Sequence, residues 1–449
     1  MQVFESITAA QLQGPTHLTI GNFDGMHRGH RALIATMQAD AHAHGAACGL
    51  LTFHPHPRSV LHPDQPIASI NSLAERLKLY AQAGLDFAII HPFTRRTAQT
   101  EPEAFMDLLK AHLALSDLWV GPDFAMGRAR RGNVAFLREY GQKIGVRVHV
   151  VPEFRWEGIP VRSSLIRQTI MRGNLEWANV WLGRFFTISG LVVHGAHRGR
   201  KLGFPTANLT ISQNRVHPAD GVYAAWATVE NRRFPAVVNI GVRPTVNGKE
   251  RLIEAHLIGF DEDIYGRCLE LAFVARLRDE MKFPSLDALI AQIARDKDLA
   301  SWLLSQNPHI PDYERYRELP YTADWGVEVF GTTLEELYIH AAIAMFGLQA
   351  GYDVEGPTLQ QAIEVEGADR EDLLVSWLSE LLWQQETHGL VVQNVFIREL
   401  TETRLRALVF GRVGPSDLAH IKAVTYHDLA ITPPAERGGL WRAQVLFDT

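Results

Sequence analysis

Short apolar runs alternate with stretches of helical spacing over the first 185 residues of the chain. Four of these runs are predicted strands: 17–20, 49–53, 87–90 and 117–120. Apolar residues between Leu33 and Ala41 recur at helical spacing and predict a helix over 27–44, with Gly45 as its stop. The repeated order of strand, helix and strand predicts a parallel sheet covered by helices on both faces.

The pattern changes between residues 186 and 304, where strand-like runs follow one another closely and turn residues separate them. Five of these runs are predicted strands: 188–193, 221–229, 236–240, 253–258 and 269–274. Such close spacing predicts an antiparallel barrel or sandwich, and a helix predicted over 285–294 closes it.

Residues 305–312 contain two prolines and several polar side chains, and we predict that they form a linker. The chain beyond the linker is predicted to contain helices 333–348 and 370–387 and strands such as 326–330, 393–399 and 404–413. The length of 449 residues is about three times a typical domain of ~150 residues. The expected fold is therefore multidomain, α/β plus β, with domains at 1–185, 186–304 and 313–449.

Composition is that of a folded protein, with 46% hydrophobic and 21% charged residues. The 44 Lys and Arg against 50 Asp and Glu give a net charge of −6, so we expect no direct binding of nucleic acid. Cys48 and Cys268 are too few and too far apart for a disulfide framework. The start has no signal-peptide pattern, and no run approaches the ~20 apolar residues of a membrane span. We expect a cytoplasmic protein with no membrane partner.

The first motif with chemical content, GNFDGMHRGH at 21–30, follows a predicted strand and opens a predicted helix. Backbone N–H groups and the positive helix end favour an anion at such a place. His27 and His30 are three residues apart and share one helix face, and Gly29 leaves room for a phosphate. We prefer a phosphate-binding site. An ordinary helix N-terminus with incidental histidines and a metal site without an obvious third ligand stay open.

The second motif, GAHRGRKLGFPTAN at 195–208, is rich in glycine and basic residues. Its spacing differs from that of a Walker A loop, which excludes a P-loop. The Thr206 hydroxyl and the Asn208 carbonyl are oxygen ligands of the kind that Mg²⁺ accepts beside phosphate and water. A turn with incidental polar residues is the alternative.

Four motifs of the first region, at 21–30, 52–57, 121–127 and 163–167, resemble the adenylyltransferase module of bacterial bifunctional riboflavin kinase/FAD synthetases. The resemblance implies a Rossmann-like nucleotidylyltransferase domain that transfers AMP from ATP to FMN, giving FAD and pyrophosphate. It also implies that His27 and His30 bind the ATP phosphates. Ser164 and Arg167 would hold phosphates from the opposite side, where arginine can bind bidentately. The other nucleotide-site residues implied are Gly21, Phe23, Asp24, Gly25, Gly29, Asp123 and Ser163.

This module departs from the family at one place and leaves two aromatic residues open. Arg162 stands where the family usually has the first of three hydroxyl residues. Phe53 and Phe124 either flank an isoalloxazine ring or are buried in the core.

Motifs at 221–223, 239–245, 254–257 and 263–266 are similar to the riboflavin kinase module of the same family. The similarity implies a small β-barrel that phosphorylates the ribityl 5′-hydroxyl of riboflavin. In it, Thr206 and Asn208 would hold Mg-ATP, and Glu254 would be the base that deprotonates the hydroxyl. The loop residues implied for ATP are Gly199, Arg200, Gly203 and Pro205, and Arg278 and Phe283 are further flavin candidates. A solvated carboxylate is the alternative for Glu254.

Five motifs of the third region, at 318–326, 333–337, 372–382, 420–427 and 447–449, resemble archease. The resemblance implies a small α/β domain that assists a tRNA-splicing RNA ligase. It also implies that Asp324, Asp448 and the α-carboxylate of Thr449 bind Ca²⁺ or a similar cation, since hard oxygen ligands suit such ions. Lys422 is a further functional candidate, and Tyr321 stands where the family commonly has histidine. Surface solvation is the alternative for each aspartate.

Two functions from different classes follow. The first is an enzyme that makes FMN and FAD and carries an RNA-ligase accessory module. The second is a binding or chaperone protein for the ligase, in which the flavin modules are catalytically weak scaffolds. The adenylyltransferase fold with another nucleotide substrate is a third option. The presence of His27, His30, Thr206, Asn208 and Glu254 favours the enzyme.

Overall fold

The computed structural model describes residues 1–194, 199, 203–211, 214–245, 248–321, 324–352, 354–415, 418 and 421–449. The chain forms two compact units. The first comprises Met1–Arg155, Pro160–Arg167 and Ser212–Val216, and the second comprises Trp156–Ile159, Gln168–Ile211 and His217–Thr449. No helix within the described ranges has the length and apolarity needed to cross a membrane.

The first 171 residues form ten strands and six α-helices. The strands are β1 (Gln2–Phe4), β2 (Thr16–Ile20), β3 (Ala47–His54), β4 (Phe87–Pro92), β5 (Leu115–Val120), β6 (Ala125–Met126), β7 (Gly132–Asn133), β8 (Arg147–Val150), β9 (Arg155–Trp156) and β10 (Ile159–Pro160). The helices are α1 (Arg28–Ala43), α2 (Pro57–Leu61), α3 (Leu73–Gln82), α4 (Pro102–Leu113), α5 (Val134–Ile144) and α6 (Ser163–Met171). Short 3₁₀ helices lie at Ile7–Ala9, Thr97–Gln99 and Arg128–Arg130.

The first unit is built on a six-stranded sheet in the order β1-β4-β3-β2-β5-β8, with every neighbouring pair parallel. Both faces of this sheet are buried. Leu50 belongs to one apolar cluster and the next residue, Leu51, to another. Because successive residues of a strand point to opposite faces, the two clusters cover the two sides of the sheet. The predicted parallel sheet with two covered faces is confirmed.

The second unit contains helix α7 (Leu175–Leu182) and a closed antiparallel barrel in the order β11-β12-β15-β14-β13-β16. The strands are β11 (Phe186–Val193), β12 (Ala207–Thr210), β13 (Gly221–Val229), β14 (Arg232–Thr245), β15 (Gly248–Leu257) and β16 (Cys268–Arg278). The sequence pattern was compatible with either a barrel or a sandwich. Pairing of β11 with β16 closes the barrel.

Helix α8 (Leu286–Ser305) is longer than predicted. Its side-chain cap is Ser285, whose hydroxyl accepts a hydrogen bond from the backbone of Ala288, so its start agrees with the sequence. The predicted end at residue 294 is wrong because Ala300, Leu303 and Leu304 are all buried and continue the apolar face.

The remaining chain forms two antiparallel sheets and two long helices, α9 (Leu334–Ala350) and α10 (Arg370–His388). The strands are β17 (Tyr316–Leu319), β18 (Trp325–Gly331), β19 (Thr358–Glu366), β20 (Leu390–Leu400), β21 (Arg404–Val413), β22 (Ala423–Thr432) and β23 (Trp441–Asp448). The sheet orders are β17-β18-β23-β22 and β19-β21-β20. The predicted α/β architecture of this region is confirmed.

The barrel and the sheet β19-β21-β20 pack together within the second unit. One apolar cluster contains Val222 and Leu277 from the barrel together with Phe410 from β21. A polar bridge lies beside it: Asp279 accepts from the backbone N–H of Thr358 at 2.9 Å and pairs with Arg276 at 2.7 Å. This shared core accounts for the single compact unit over 217–449.

Candidate active sites

The loop after β2 runs from Gly21 to Met26 and joins the carboxyl end of this central strand to α1. Phe23 (φ 45°), Gly25 (φ 87°) and Met26 (φ 40°) all have left-handed backbone conformations. Such conformations cost free energy in residues with side chains, and they persist where packing fixes them, as it does for the buried Phe23 and Met26. Ligands of open α/β sheets bind at this edge, outside the carboxyl ends of the strands.

His27 and His30 lie at the N-terminus of α1 with their rings stacked, 3.6 Å between centroids. His27 is the N-cap rather than a residue of the first turn, and its Nδ1 accepts from the backbone N–H of His30 at 3.3 Å. A Cβ on Gly29 would lie 3.3 Å from the His27 ring and from Phe154 Cβ. The space that the glycine leaves is therefore used by the His27 ring, which glycine allows to pack against the helix.

Asp24 connects this loop to α6. Its carboxylate accepts hydrogen bonds from the backbone N–H groups of Ile70 (3.0 Å) and Asn71 (3.1 Å) and from Arg167 Nη2 (3.0 Å). Its carbonyl oxygen accepts from Ser163 Oγ at 2.8 Å. The Asp24 carboxylate is therefore buried and held by protein groups, one of which is the Arg167 guanidinium.

The remaining predicted residues of the first site lie around α6. Ser164 is exposed in the first turn of this helix. Arg162, the departure from the family pattern, pairs with Glu153, and its Nη2 lies 3.8 Å from the exposed carboxylate of Asp123. This contact brings the 121–127 motif beside the 163–167 motif. A Cβ on Gly21 would lie 3.2 Å from the Phe23 ring, so this glycine lets that ring pack.

Sequence reasoning assigned no role to His56 and Arg76, which lie beside this loop. His56 Nε2 is 3.0 Å from Asn22 Nδ2, and Arg76 Nη1 donates to Asn22 O at 2.9 Å. Burial lowers the pKa of His56 to about 4; Asp24 opposes this shift, and Arg167 reinforces it. His56 is therefore neutral near pH 7. His56 belongs to the 52–57 motif, and that motif could have identified it as a site residue. Arg76 lies within α3, where no local sequence motif indicates a functional role.

Phe53 and Phe124, left open by the sequence, are half-buried and pack against the apolar cluster that contains Leu51 and Leu118. These contacts agree with the core alternative for both rings.

The barrel brings Asn208 and Glu254 together. Asn208 of β12 is paired directly with Glu254 of β15, and Glu254 is paired on its other side with Asn239 of β14. Directly opposite residues of antiparallel strands point to the same face. All three are half-buried, while their neighbours Ala207 and Ala255 are buried, so the polar side chains lie on the face away from the barrel core.

The loop before β12 is tied to the same strands. His256 Nδ1 is 2.8 Å from the carbonyl oxygen of Pro205, and the Phe204 N–H donates to Gly199 O at 2.9 Å. A Cβ on Gly199 would collide with Phe204 O and lie 3.1 Å from Thr206 Oγ1, so this position requires glycine. Thr206 is the residue immediately before β12, the strand that carries Asn208. Gly203 has a φ of 84°, and the candidate Arg200 lies outside the described residues.

Arg278, a predicted flavin contact, has an ion-pair partner. Its Nε and Nη2 donate to Asp296 on α8 at 3.0 and 2.7 Å, and its guanidinium lies 5.8 Å from the Phe283 ring centroid. A cavity of about 490 Å³ borders Arg278 and Asp296 and is also lined by Trp302. The two flavin candidates therefore lie near each other, and Arg278 borders the cavity.

The acidic residues of the third region are brought together at the end of β23. Trp325, the first residue of β18, pairs with Phe447, so Asp324 just before β18 lies near Asp448 at the end of β23. Lys422 N donates to Asp448 O at 2.8 Å, and Lys422 Nζ donates to Thr449 O at 2.8 Å. Both aspartates are exposed. Backbone pairing therefore places Asp324 near Asp448, and Lys422 is hydrogen-bonded to the last two residues of the chain.

A second polar cluster of the first unit lies near the amino ends of β2 and β5, away from the loop at 21–26. His17 Nδ1 is 3.4 Å from Asp40 and its Nε2 is 3.1 Å from Asp117. Asp117 also accepts from Arg147 Nε and His149 Nε2, each at 2.7 Å. Neither ring nitrogen of His17 makes a hydrogen bond among the described residues, and burial lowers the pKa of His17, so this ring is not a charged partner of the two aspartates. The ion pair that Arg147 forms with Asp117 connects β5 and β8.

The first unit has a histidine-capped helix at the carboxyl edge of a parallel sheet, and the second unit has a barrel that pairs an asparagine with a glutamate. Family models match in the same order: FAD synthetase over 9–165, riboflavin kinase over 182–304 and the archease protein family over 316–449.

Curated relatives agree over the first two matches. The bifunctional riboflavin kinase/FMN adenylyltransferase of Escherichia coli (strain K12) is 39% identical over 282 residues, 62% of this chain and 90% of the relative. That of Bacillus subtilis is 33% identical over 293 residues, 64% of this chain and 92% of the relative. A crystal structure described as a macrolide-efflux protein from Streptococcus pneumoniae is 28% identical with a TM-score of 0.62, covering 67% of this chain and 98% of that one.

The chain belongs to the bifunctional riboflavin kinase/FMN adenylyltransferase family. It is a riboflavin kinase and an FMN adenylyltransferase, and it carries an archease domain after them. The resemblances predicted from the sequence motifs are confirmed.

Proposed function

We propose that the two activities use the two separate groups of residues described above, within domains at 1–185 and 186–304. The pairing of Asn208 with Glu254 carries the assignment of the kinase site, because it joins two candidates that are far apart in sequence. The contact of Arg167 with Asp24 supports the adenylylation site in the same way.

At the barrel, riboflavin phosphorylation needs a base near the acceptor hydroxyl and oxygen ligands near the ATP phosphates. The Glu254 carboxylate takes the proton of the ribityl 5′-hydroxyl while this oxygen attacks the γ-phosphorus of ATP and ADP leaves. The Thr206 hydroxyl and the Asn208 carbonyl fit Mg²⁺, since all their donors are hard oxygen atoms. Bound there, the ion would neutralise phosphate charge.

At the sheet edge, an FMN phosphate oxygen attacks the α-phosphorus of a second ATP, FAD forms, and pyrophosphate leaves. No covalent bond to the protein is needed, so positioning and charge neutralisation supply the catalysis. The imidazole rings of His27 and His30 donate to the phosphates at the N-terminus of α1, where the helix dipole favours an anion. Ser164 and Arg167 donate from α6, and Asp24 holds Arg167 in place.

The experiment tests whether each activity can be lost without the other. The double variant Thr206→Ala/Asn208→Ala should form no FMN from riboflavin and ATP but should still make FAD from supplied FMN. His30→Ala should do the reverse. Thr210→Ala on β12 and His42→Ala on α1 change exposed residues of the same elements and serve as matched controls. Equal loss of both activities in a folded variant contradicts the two-site assignment.

For the domain at 313–449, beyond a linker at 305–312, we propose assistance to a tRNA-splicing RNA ligase and binding of Ca²⁺ or a similar divalent cation. The archease match over 316–449 and the adjacent Asp324 and Asp448 support this proposal. Asp448→Asn should weaken Ca²⁺ binding in calorimetric titration and lower the stimulation of ligase turnover. Asp428→Asn, an exposed aspartate of β22, is the control. Ligase turnover that is unchanged by the native chain contradicts the partner.

The alternative is a ligase-binding protein with catalytically weak flavin modules. It predicts that the native chain stimulates the ligase but converts riboflavin to FMN and FAD no faster than the Thr206→Ala/Asn208→Ala and His30→Ala variants.

A further inference from the structure

A short segment from the middle of the kinase match packs in the first unit. Residues 214–216 lie within the range matched by the riboflavin kinase model, yet they belong to the unit of the parallel sheet. Arg215 forms a parallel bridge with Ser69. Ser69 N–H donates to Asn214 O at 2.8 Å, and Val216 N–H donates to Ser69 O at 2.9 Å. The backbone of this segment is thus fixed against residue 69 on both sides.

The Arg215 side chain is buried, with 5% of it exposed. Its Nη2 lies 2.9 Å from Glu75 Oε2, and its Nη1 donates to the carbonyl oxygen of Ile70. Glu75 is itself held by a capping box, accepting from the Ser72 N–H at 2.8 Å. A buried guanidinium is costly unless its donors are satisfied, so these contacts hold Arg215 in one orientation.

The peptide that Arg215 contacts also contacts Asp24. The Ile70 carbonyl accepts from Arg215, while the N–H of the same peptide unit, at Asn71, donates to Asp24 Oδ1 at 3.1 Å. A peptide group between a cation and an anion is polarised by both, and each hydrogen bond strengthens the other. Asp24 Oδ2 in turn accepts from Arg167 Nη2 at 3.0 Å. The series Arg215, peptide 70–71, Asp24 and Arg167 is continuous.

We infer that Arg215 is a positioning residue for FMN adenylylation, acting through the 70–71 peptide and Asp24 on Arg167. The inference rests on the proposed role of Arg167 at the ATP phosphates. Adenylylation then depends on a residue supplied by the kinase part of the sequence, while riboflavin phosphorylation does not depend on this contact.

The test uses the full chain and both activities. Arg215→Ala should raise the KM for ATP in FAD synthesis by about tenfold, the effect of losing one hydrogen bond to a charged group, and leave FMN formation unchanged. Arg215→Lys keeps the charge but cannot reach Glu75 and Ile70 together, so it should recover only part of the loss. Arg138→Ala, an exposed arginine of α5, is the control.

A double-mutant cycle separates this inference from the proposed function. Arg215→Ala should add little to the defect of Arg167→Ala, because the first acts through the second. If the two defects multiply, or if Arg215→Ala leaves the KM for ATP unchanged, the inference is overturned. If Arg167→Ala itself leaves FAD synthesis unchanged, the proposed site fails first. Should Arg215→Ala not fold, the same comparison applies to Arg215→Lys.

Discussion

Asp117 offers a quantitative test of the polar cluster at the amino-terminal end of the sheet. Its side chain is fully buried on β5 and accepts hydrogen bonds from Arg147 and His149, with His17 on its other side. Burial raises the pKa of a carboxyl group, but the hydrogen bonds from Arg147 and His149 outweigh it and lower the pKa of Asp117 from 3.8 to about 2.

The shift sets both the size and the sign of the effect on stability. Each pKa unit corresponds to about 1.4 kcal/mol. The lowered pKa of Asp117 therefore contributes about 2 kcal/mol to the free energy of unfolding. Because the pKa in the folded state is the lower one, the contribution is fully present above pH 3.8, the unfolded value. It is lost as the pH falls through about 2.

Hydrogen–deuterium exchange of peptides that cover β2 and β5 measures the local free energy of opening of the sheet. This local value does not require the two compact units to unfold in one step. At pH 7, Asp117→Asn should lower this free energy by about 2 kcal/mol. The native chain should lose a similar amount between pH 4 and pH 2, and the variant should lack this loss. Asp64→Asn, at an exposed position, is the control. Parallel pH profiles of the native chain and Asp117→Asn would refute the reasoning.

Three further predictions concern the active sites. Gly29→Ala places a Cβ 3.3 Å from the His27 ring and Phe154, so FAD synthesis from FMN should fall about tenfold or more while FMN formation is kept. FAD synthesis at the native rate in this variant contradicts the packing argument. Gly199→Ala brings a Cβ against Phe204 O and Thr206, so FMN formation should fall and FAD synthesis should not, as measured by chromatography of both products. His56, whose pKa burial lowers to about 4, should stay neutral from pH 7 to pH 5, and its ring signals in NMR should titrate only near pH 4; titration near pH 6.5 contradicts the burial.

The local pattern of the chain determined most of the secondary structure and the two phosphate motifs. The predicted strand at 221–229 and the predicted strand at 404–413 have the observed bounds, because each is a mostly buried run within a single strand. The loop at 21–30 was recognisable for the same reason: its glycines and histidines are neighbours in sequence.

Tertiary structure decided which distant residues meet. Asn208 pairs with Glu254, and Arg215 reaches the 70–71 peptide, only because strand order and segment packing bring separate parts of the chain together. Hydrophobic periodicity records which face of an element is buried, but it carries no information on which element covers that face. The position of Arg76 beside Asn22 and the packing of the archease sheet on the barrel were for this reason visible only in the folded chain.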